Sequence, residues 1–220
     1  MSNDNILPGS ITGLDSAGRQ QILQAVEHLI QVFWSRDGRK NWEELWENSI
    51  SVWNGLQGVV FKGTPRIAAY LDEIQSRGQK PETLQELESV FVETFINTHG
   101  GVSAPLYHSC YHGEEQLLMQ QPALEMQKRL SEAGLEPQNP GEPVDHLCLE
   151  LEYLYFLMSL YLQDPDPETA AEIADFSGNF MLPWIQEFMQ RIPADAPGAA
   201  FFANTAEAMQ DLLQLLGRTS

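Results

Sequence analysis

Positive charge is scarce in this chain: 12 Lys and Arg stand against 31 Asp and Glu, a formal net charge of −19 at pH 7. A field of that sign repels nucleic acid and anionic lipid, so neither is expected as a partner. The shortage is local. Residues 1–80 hold nine acids and eight bases, whereas residues 81–190 hold nineteen acids and two bases, Lys128 and Arg129. Such a field steers cationic partners inward, although acidity also serves solubility alone. Cysteine is equally sparse. Cys110 and Cys148 supply no disulfide framework and are expected to remain reduced thiols. No apolar run approaches the roughly 18–20 residues needed to cross a bilayer, so stable membrane insertion is not expected. The start, Met1-Ser2-Asn3-Asp4-Asn5, carries no basic region and no apolar stretch follows, which points to a cytoplasmic protein. Strand-like alternation is missing too. Ser51 to Phe61 comes nearest and is weak.

What is present is helical punctuation. Asp15 or Ser16 can cap a helix to about Trp34, with Ile22, Ala25, Val26, Leu29, Ile30 and Phe33 on one face. Asn41 precedes an amphipathic stretch bearing Trp42, Leu45, Trp46 and Trp53. Thr64-Pro65 opens a third helix that Gly78 ends, and Pro81 opens a fourth with Leu84, Leu87, Val90, Phe91 and Phe95. Helices are expected again at Glu114–Gln121 and at Pro122–Ala133, the latter stopped by Gly134. From Leu147 the positions Leu147, Leu151, Leu154, Met158 and Tyr161 follow a 4-3-4-3 spacing, and Tyr155 and Leu162 widen the stripe, which predicts a central helix. Asp166-Pro167 caps a helix that Pro183 bends or breaks, and a last helix runs from about Ala199 to Leu216. The fold class is therefore all-α, roughly nine helices in a single globular domain. A hinge-like irregular segment, residues 99–113, separates an N-terminal helical part (1–98) from a C-terminal one (114–220).

Several constellations suggest chemistry. His99, His108, Cys110, His112, His146 and Cys148 fall within fifty residues, yet no Cys-x-x-Cys or His-Glu-x-x-His is present to hold a metal locally. Ser109 or Cys110 could pair with His146 and Asp145 for nucleophilic catalysis, but no G-x-S-x-G elbow surrounds the serine. Adjacent helical residues also point about 100° apart, which poorly suits Asp145 to orient His146. The glycine- and lysine-bearing run Gly55 to Thr64 has the wrong spacing for a phosphate loop and reads as a turn.

The block Glu142-Pro143-Val144-Asp145-His146-Leu147 is the most concentrated feature. Pro143 is expected at the first turn of a helix, where its missing N–H costs nothing. Asp145 in that turn would meet the positive end of the helix dipole, and His146 lies four residues from both Glu142 and Glu150. A bare structural assignment makes Asp145 a cap and His146 a tethered side chain. A rigid anionic helix start beside a loop rich in His and Tyr can also accept guanidinium donors.

This block resembles the E-P-x-D-H signature of the TorD/DmsD family of redox-enzyme maturation chaperones. Tyr107-His108-Ser109 resembles that family's Y-x-S element, and Leu149-Glu150-Leu151-Glu152-Tyr153-Leu154 its continuing helix. Leu182-Pro183-Trp184-Ile185 resembles its later proline–tryptophan element, and Pro122 through Leu135 also fits. The resemblance covers roughly residues 105–190. It implies an all-α fold, no catalytic residues, and no cofactor or metal of the chain's own. It also implies a cytoplasmic chaperone that binds the twin-arginine leader and apo form of a molybdopterin oxidoreductase, assists cofactor insertion and delays export. The residues it assigns to the leader are Tyr107, Ser109, Glu142, Pro143, Asp145 and His146, with Trp184 supporting the fold. The irregular hinge would permit a domain-swapped homodimer. From another functional class, the alternative is a small helical metal-dependent or hydrolytic enzyme using Asp145, His146 and His112. A generic helical adaptor without leader specificity is a third.

Overall fold

Caps and glycine stops set the boundaries of the helices in the computed structural model, which describes residues 10–34, 40–56, 63–97, 101–113, 118–137 and 141–218. Helix α1 (Ser16–Phe33) starts where Asp15 accepts from the Gly18 amide at 2.7 Å, and α2 (Trp42–Gly55) where Asn41 accepts from that of Glu44 at 3.2 Å. Helix α3 spans Gly63–Ser76 and α4 spans Lys80–Phe91, the latter with proline in its first turn. Gly78 adopts φ 67°, so the Gln79 amide reaches back to Ile74 O at 3.0 Å and closes the end of α3. Helix α5 (Gln121–Glu132) ends the same way through Gly134. Helices α6 (Leu147–Gln163), α7 (Pro167–Asp175), α8 (Leu182–Arg191) and α9 (Pro197–Leu216) complete the set, and no strand occurs among the described residues.

Helix α6 is central, as its wide apolar stripe predicts. Leu147, Leu151, Leu154, Met158 and Tyr161 are all buried, and the helix packs against α1 and α7. Helix α9 makes the second axis, packed on α3, α4 and α8. Both axes feed one hydrophobic cluster, so segments before and after the irregular stretch share a core. Phe33 lies at its centre, with ring centroids 5.6 Å from Phe95, 5.8 Å from Phe188 and 6.5 Å from Phe202. Burying one such ring stabilises the fold by about 1.5–3 kcal/mol. Truncating it to alanine costs about 3–5 kcal/mol, because a cavity remains. One buried polar pair ties α1 to α2. Ser49 Oγ donates to Leu45 O at 2.8 Å, which leaves it to accept from His28 Nε2, also at 2.8 Å.

Four expectations need correction or qualification. Residues 51–55 belong to the closing turns of α2, while the rest of the strand-like run lies largely outside the described residues, as do His99 and most of the phosphate-loop look-alike. The helix expected at Glu114–Gln121 is absent from its described part: residues 118–120 are bent, Met119 has φ 59°, and residues 114–117 lie outside the described set. Helix α6 begins at Leu147 rather than at Pro143. Pro143 to His146 forms a turn instead, closed by the His146 amide donating to Pro143 O at 3.1 Å. Finally, Pro183 does not break the helical run but falls in the first turn of α8. A π-turn, Phe176–Met181, joins α7 to α8 directly. In a regular helix the proline ring would clash with the carbonyl four residues back, and the wider turn just before it relieves that contact.

Candidate functional site

Two short stretches, far apart in sequence, meet edge to edge. The His108 amide donates to Asp145 O at 2.9 Å and the Leu147 amide to Leu106 O at 2.7 Å, an isolated antiparallel bridge centred on Tyr107 and His146. The turn Pro143–His146 presents one edge and a 3-10 turn, His108–Tyr111, continues the other. Side chains lock the junction. Ser109 donates its backbone N–H to Asp145 Oδ2 at 2.9 Å and its hydroxyl to the same oxygen in a shorter bond. The same hydroxyl accepts from the Gln120 amide at 2.9 Å, which draws in the chain before α5.

Asp145 is therefore a staple and not the cap of α6. It is 0% exposed, and its Oδ1 has no hydrogen-bond partner among the described residues. The cap is His146. Its Nδ1 accepts from the Cys148 amide at 3.1 Å, and its ring stands edge-on to Trp34 and Tyr107 at 5.0 and 5.1 Å. Burial pulls its pKa down to about 4, so the ring is neutral near pH 7 with Nδ1 free to accept.

Neither glutamate flanking His146 at four residues is its partner. Glu142 Oε1 accepts from the Tyr107 hydroxyl at 2.8 Å. Glu150 turns into the core, where Oε1 lies 3.0 Å from His108 Nδ1 and Oε2 accepts from Trp184 Nε1 at 3.0 Å. Full burial pushes the Glu150 carboxyl well above its usual range, and burial holds His108 down to about 4. The pair is neutral: the acid donates through Oε1 while its other oxygen accepts. Trp184 stacks on the His108 ring at 5.1 Å, which gives it the supporting place expected of it.

The six residues singled out from the sequence are thus brought together but do not face solvent alike. Ser109, Asp145 and His146 are buried, whereas Tyr107, Glu142 and Pro143 are half-buried and form a rim. Sequence reasoning missed the His108–Glu150–Trp184 chain. One signal pointed to it: Glu150 lies three residues after Leu147 and four before Leu154, on the apolar stripe. Asp145 bonds Ser109 while His146 bonds the Cys148 amide, and His112 is exposed. No acid–histidine dyad forms between these residues. Among the described residues no group of three or more His, Cys, Asp or Glu side chains is placed to hold a metal ion. No described helix is long and apolar enough to cross a membrane.

Comparison with known proteins falls on the same region. The family model described as nitrate reductase delta subunit matches residues 60–190. Chaperone protein TorD of Vibrio parahaemolyticus is 29% identical over 132 residues, 58% of this chain and 61% of that protein. TorD of Vibrio cholerae is 30% identical over 135 residues, and TorD of Aliivibrio salmonicida 27% over 155, covering 69% of that protein. The match thus spans somewhat under two thirds of the Vibrio parahaemolyticus relative. A solved structure from Archaeoglobus fulgidus, described as a candidate redox enzyme maturation protein, shares the fold with TM-score 0.51 and 21% identity. That match covers 86% of this chain and 91% of the other.

Proposed function

The chain belongs to the nitrate reductase delta subunit family, in its TorD-like branch, and on that premise we propose that it is a cytoplasmic maturation chaperone rather than an enzyme. Its client is the apo form of a molybdopterin oxidoreductase. The chain binds the client's twin-arginine leader and delays export while the cofactor is inserted. The observation that carries this reading is the rim of Tyr107, Glu142 and Pro143, held in place by the buried Ser109–Asp145 staple. A half-buried carboxylate beside aromatic rings, in a region of high negative charge, is a suitable acceptor for guanidinium groups. In this reading Glu142 meets the leader arginines directly. Tyr107 and Pro143 shape the surface, while Ser109, Asp145 and His146 position it. In the same reading the irregular segment 99–113 is the hinge between the two helical parts and permits a domain-swapped homodimer.

Calorimetric titration with the twin-arginine leaders of the source organism's molybdenum enzymes, each with an Arg-to-Gln control, tests the proposal. Tight binding of one leader, lost with its arginines and weakened about tenfold by Glu142→Gln, is the expected result. Folded protein that binds no leader would overturn it.

A further inference from the structure

A second surface, away from that rim, has the shape and charge of a docking site. An open groove of about 760 Å3 runs between α5, α6 and α7. Its floor is Tyr153, Phe156, Leu157 and Leu160, the i, i+3, i+4, i+7 pattern of one helix face. Tyr153 and Leu157 are buried beneath it, while Phe156 is half-buried and Leu160 is 41% exposed. The strip therefore follows the α6 axis for about two turns, the repeat that a docked helix would match.

The walls are acidic on both sides. Glu125 and Glu132 stand on α5, and Glu168, Glu172 and Asp175 on α7. Two bases share the groove, Lys128 and Arg129, so five acids leave it three negative charges in excess. Both bases are already engaged. Arg129 meets Glu172 at 2.6 Å, Asp175 at 2.7 Å and Glu125 at 3.2 Å, and Lys128 lies 3.9 Å from Glu132. Nothing anionic is invited here, and an apolar ligand without charge would leave the walls unused.

We infer that this groove docks a basic amphipathic helix, its apolar stripe on Phe156 and Leu160 and its Lys or Arg side chains against the two acidic walls. The site is separate from the Glu142 rim, because none of Tyr107, Glu142 and Pro143 lines it and its floor runs from about 9 Å (Tyr153) to about 20 Å (Leu160) along α6 from Leu147 at 1.5 Å per residue. It does not rest on the leader-binding proposal. A helix in this groove is a second hold on a partner, and two holds raise avidity when one chain spans both.

The test is fluorescence anisotropy on the full chain with a labelled synthetic helix of about five turns, built of Leu, Ala and Arg with arginines on both edges of the leucine stripe. A Glu-for-Arg peptide is the control. Two variants alter the groove without touching the Arg129 clamp: Leu160→Asp, and Glu132→Lys combined with Glu168→Lys. Matching circular dichroism and melting curves verify that each is folded. Wild-type binding of the basic helix, weakened about tenfold or more by both variants, unchanged by Glu142→Gln and absent with the acidic peptide, is expected. Failure of the wild type to bind the basic helix overturns the inference, as does equal binding by the groove variants. Saturation with a twin-arginine leader separates the two readings. Undiminished binding of the basic helix beside it establishes two sites, whereas displacement together with weakening by Glu142→Gln overturns the separate site.

Discussion

Ser109 and Asp145, 36 residues apart in sequence, make a two-bond contact in which one serine supplies both donors to a single carboxylate oxygen. Because Asp145 is 0% exposed, its effect on any ligand passes through the bridge that it stabilises. Asp145→Ala strands the Ser109 amide in a buried place, and stability should fall by about 1–3 kcal/mol in urea denaturation. Asp145→Asn should lower both stability and leader affinity, whereas Glu142→Gln should lower affinity alone. A fully stable Asp145→Ala variant would contradict the staple.

Three buried histidines should make the protein sensitive to acid. His28, His108 and His146 are each drawn from 6.5 to about 4 by burial. Between those values the unfolded chain binds protons that the folded chain refuses, so the histidine contribution is full above pH 6.5 and drains as pH falls towards 4. The loss is on the order of 3 kcal/mol per histidine. Denaturation midpoints across that window check it, and replacing His146 with Asn should flatten the slope by about a third.

Glu150 works in the opposite direction. Its carboxyl is raised well above 4.5, so the folded chain keeps a proton that the unfolded chain has lost. Its contribution is therefore present below pH 4.5 and declines as pH rises towards the folded value. Glu150→Gln keeps an acceptor for Trp184 and a donor for His108, the pattern of the neutral acid, with one further amide N–H. The variant should match or exceed the wild type in stability at pH 8 and fall behind it at pH 4. Identical pH profiles would show that the acid is ionised in its pocket.

The end of α9 touches the π-turn with no room for a side chain. A Cβ on Gly217 would lie 2.6 Å from Gly178 Cα, which is backbone and cannot swing aside. Gly217→Ala should cost about 1–3 kcal/mol in melting experiments. Gly55→Ala, whose Cβ meets nothing within 4 Å, is the control and should be neutral or slightly stabilising.

Arg129 clips α5 to the α7 side of the molecule, bonding Glu172 and Asp175 and standing 5.5 and 5.4 Å over the rings of Phe176 and Phe180. Arg129→Ala leaves three carboxylates near one another and should destabilise by about 1–3 kcal/mol, less at high salt. Hydrogen exchange should show the loosening first in α5.

The legible parts of this chain were those governed by local rules. Asp15, Asn41 and Asp166 capped where side chains of that type cap, and Gly78 and Gly134 stopped their helices in the left-handed region. The start of α6 was misplaced because Glu-Pro-x-Asp carries every mark of a first turn, while the residue that caps is a histidine, which is not on the usual roster. Helical spacing placed Glu142 and Glu150 beside His146, but partners across the fold, Tyr107 and His108, claimed them. That Tyr107 belongs with Asp145 came only from the family resemblance, and Ser109 was otherwise set beside Asp145 only as part of a catalytic pairing with His146 that does not form. No spacing rule reaches over 36 residues of intervening chain.

The π-turn at Phe176–Met181 holds one residue of slack between α7 and α8. A π-turn is an α-helix carrying one surplus residue, and Asn179 sits in it exposed to solvent. Excising that single amino acid would close the bulge into a regular turn and keep Trp184, Ile185 and Phe188 in phase on the core, because the wide turn had already absorbed the surplus rotation. What would be lost is the room that the wide turn leaves for the Pro183 ring, which would then meet the carbonyl four residues back. Omission at Asn179 should therefore cost stability through that one contact, and pairing it with Pro183→Ala should recover the loss.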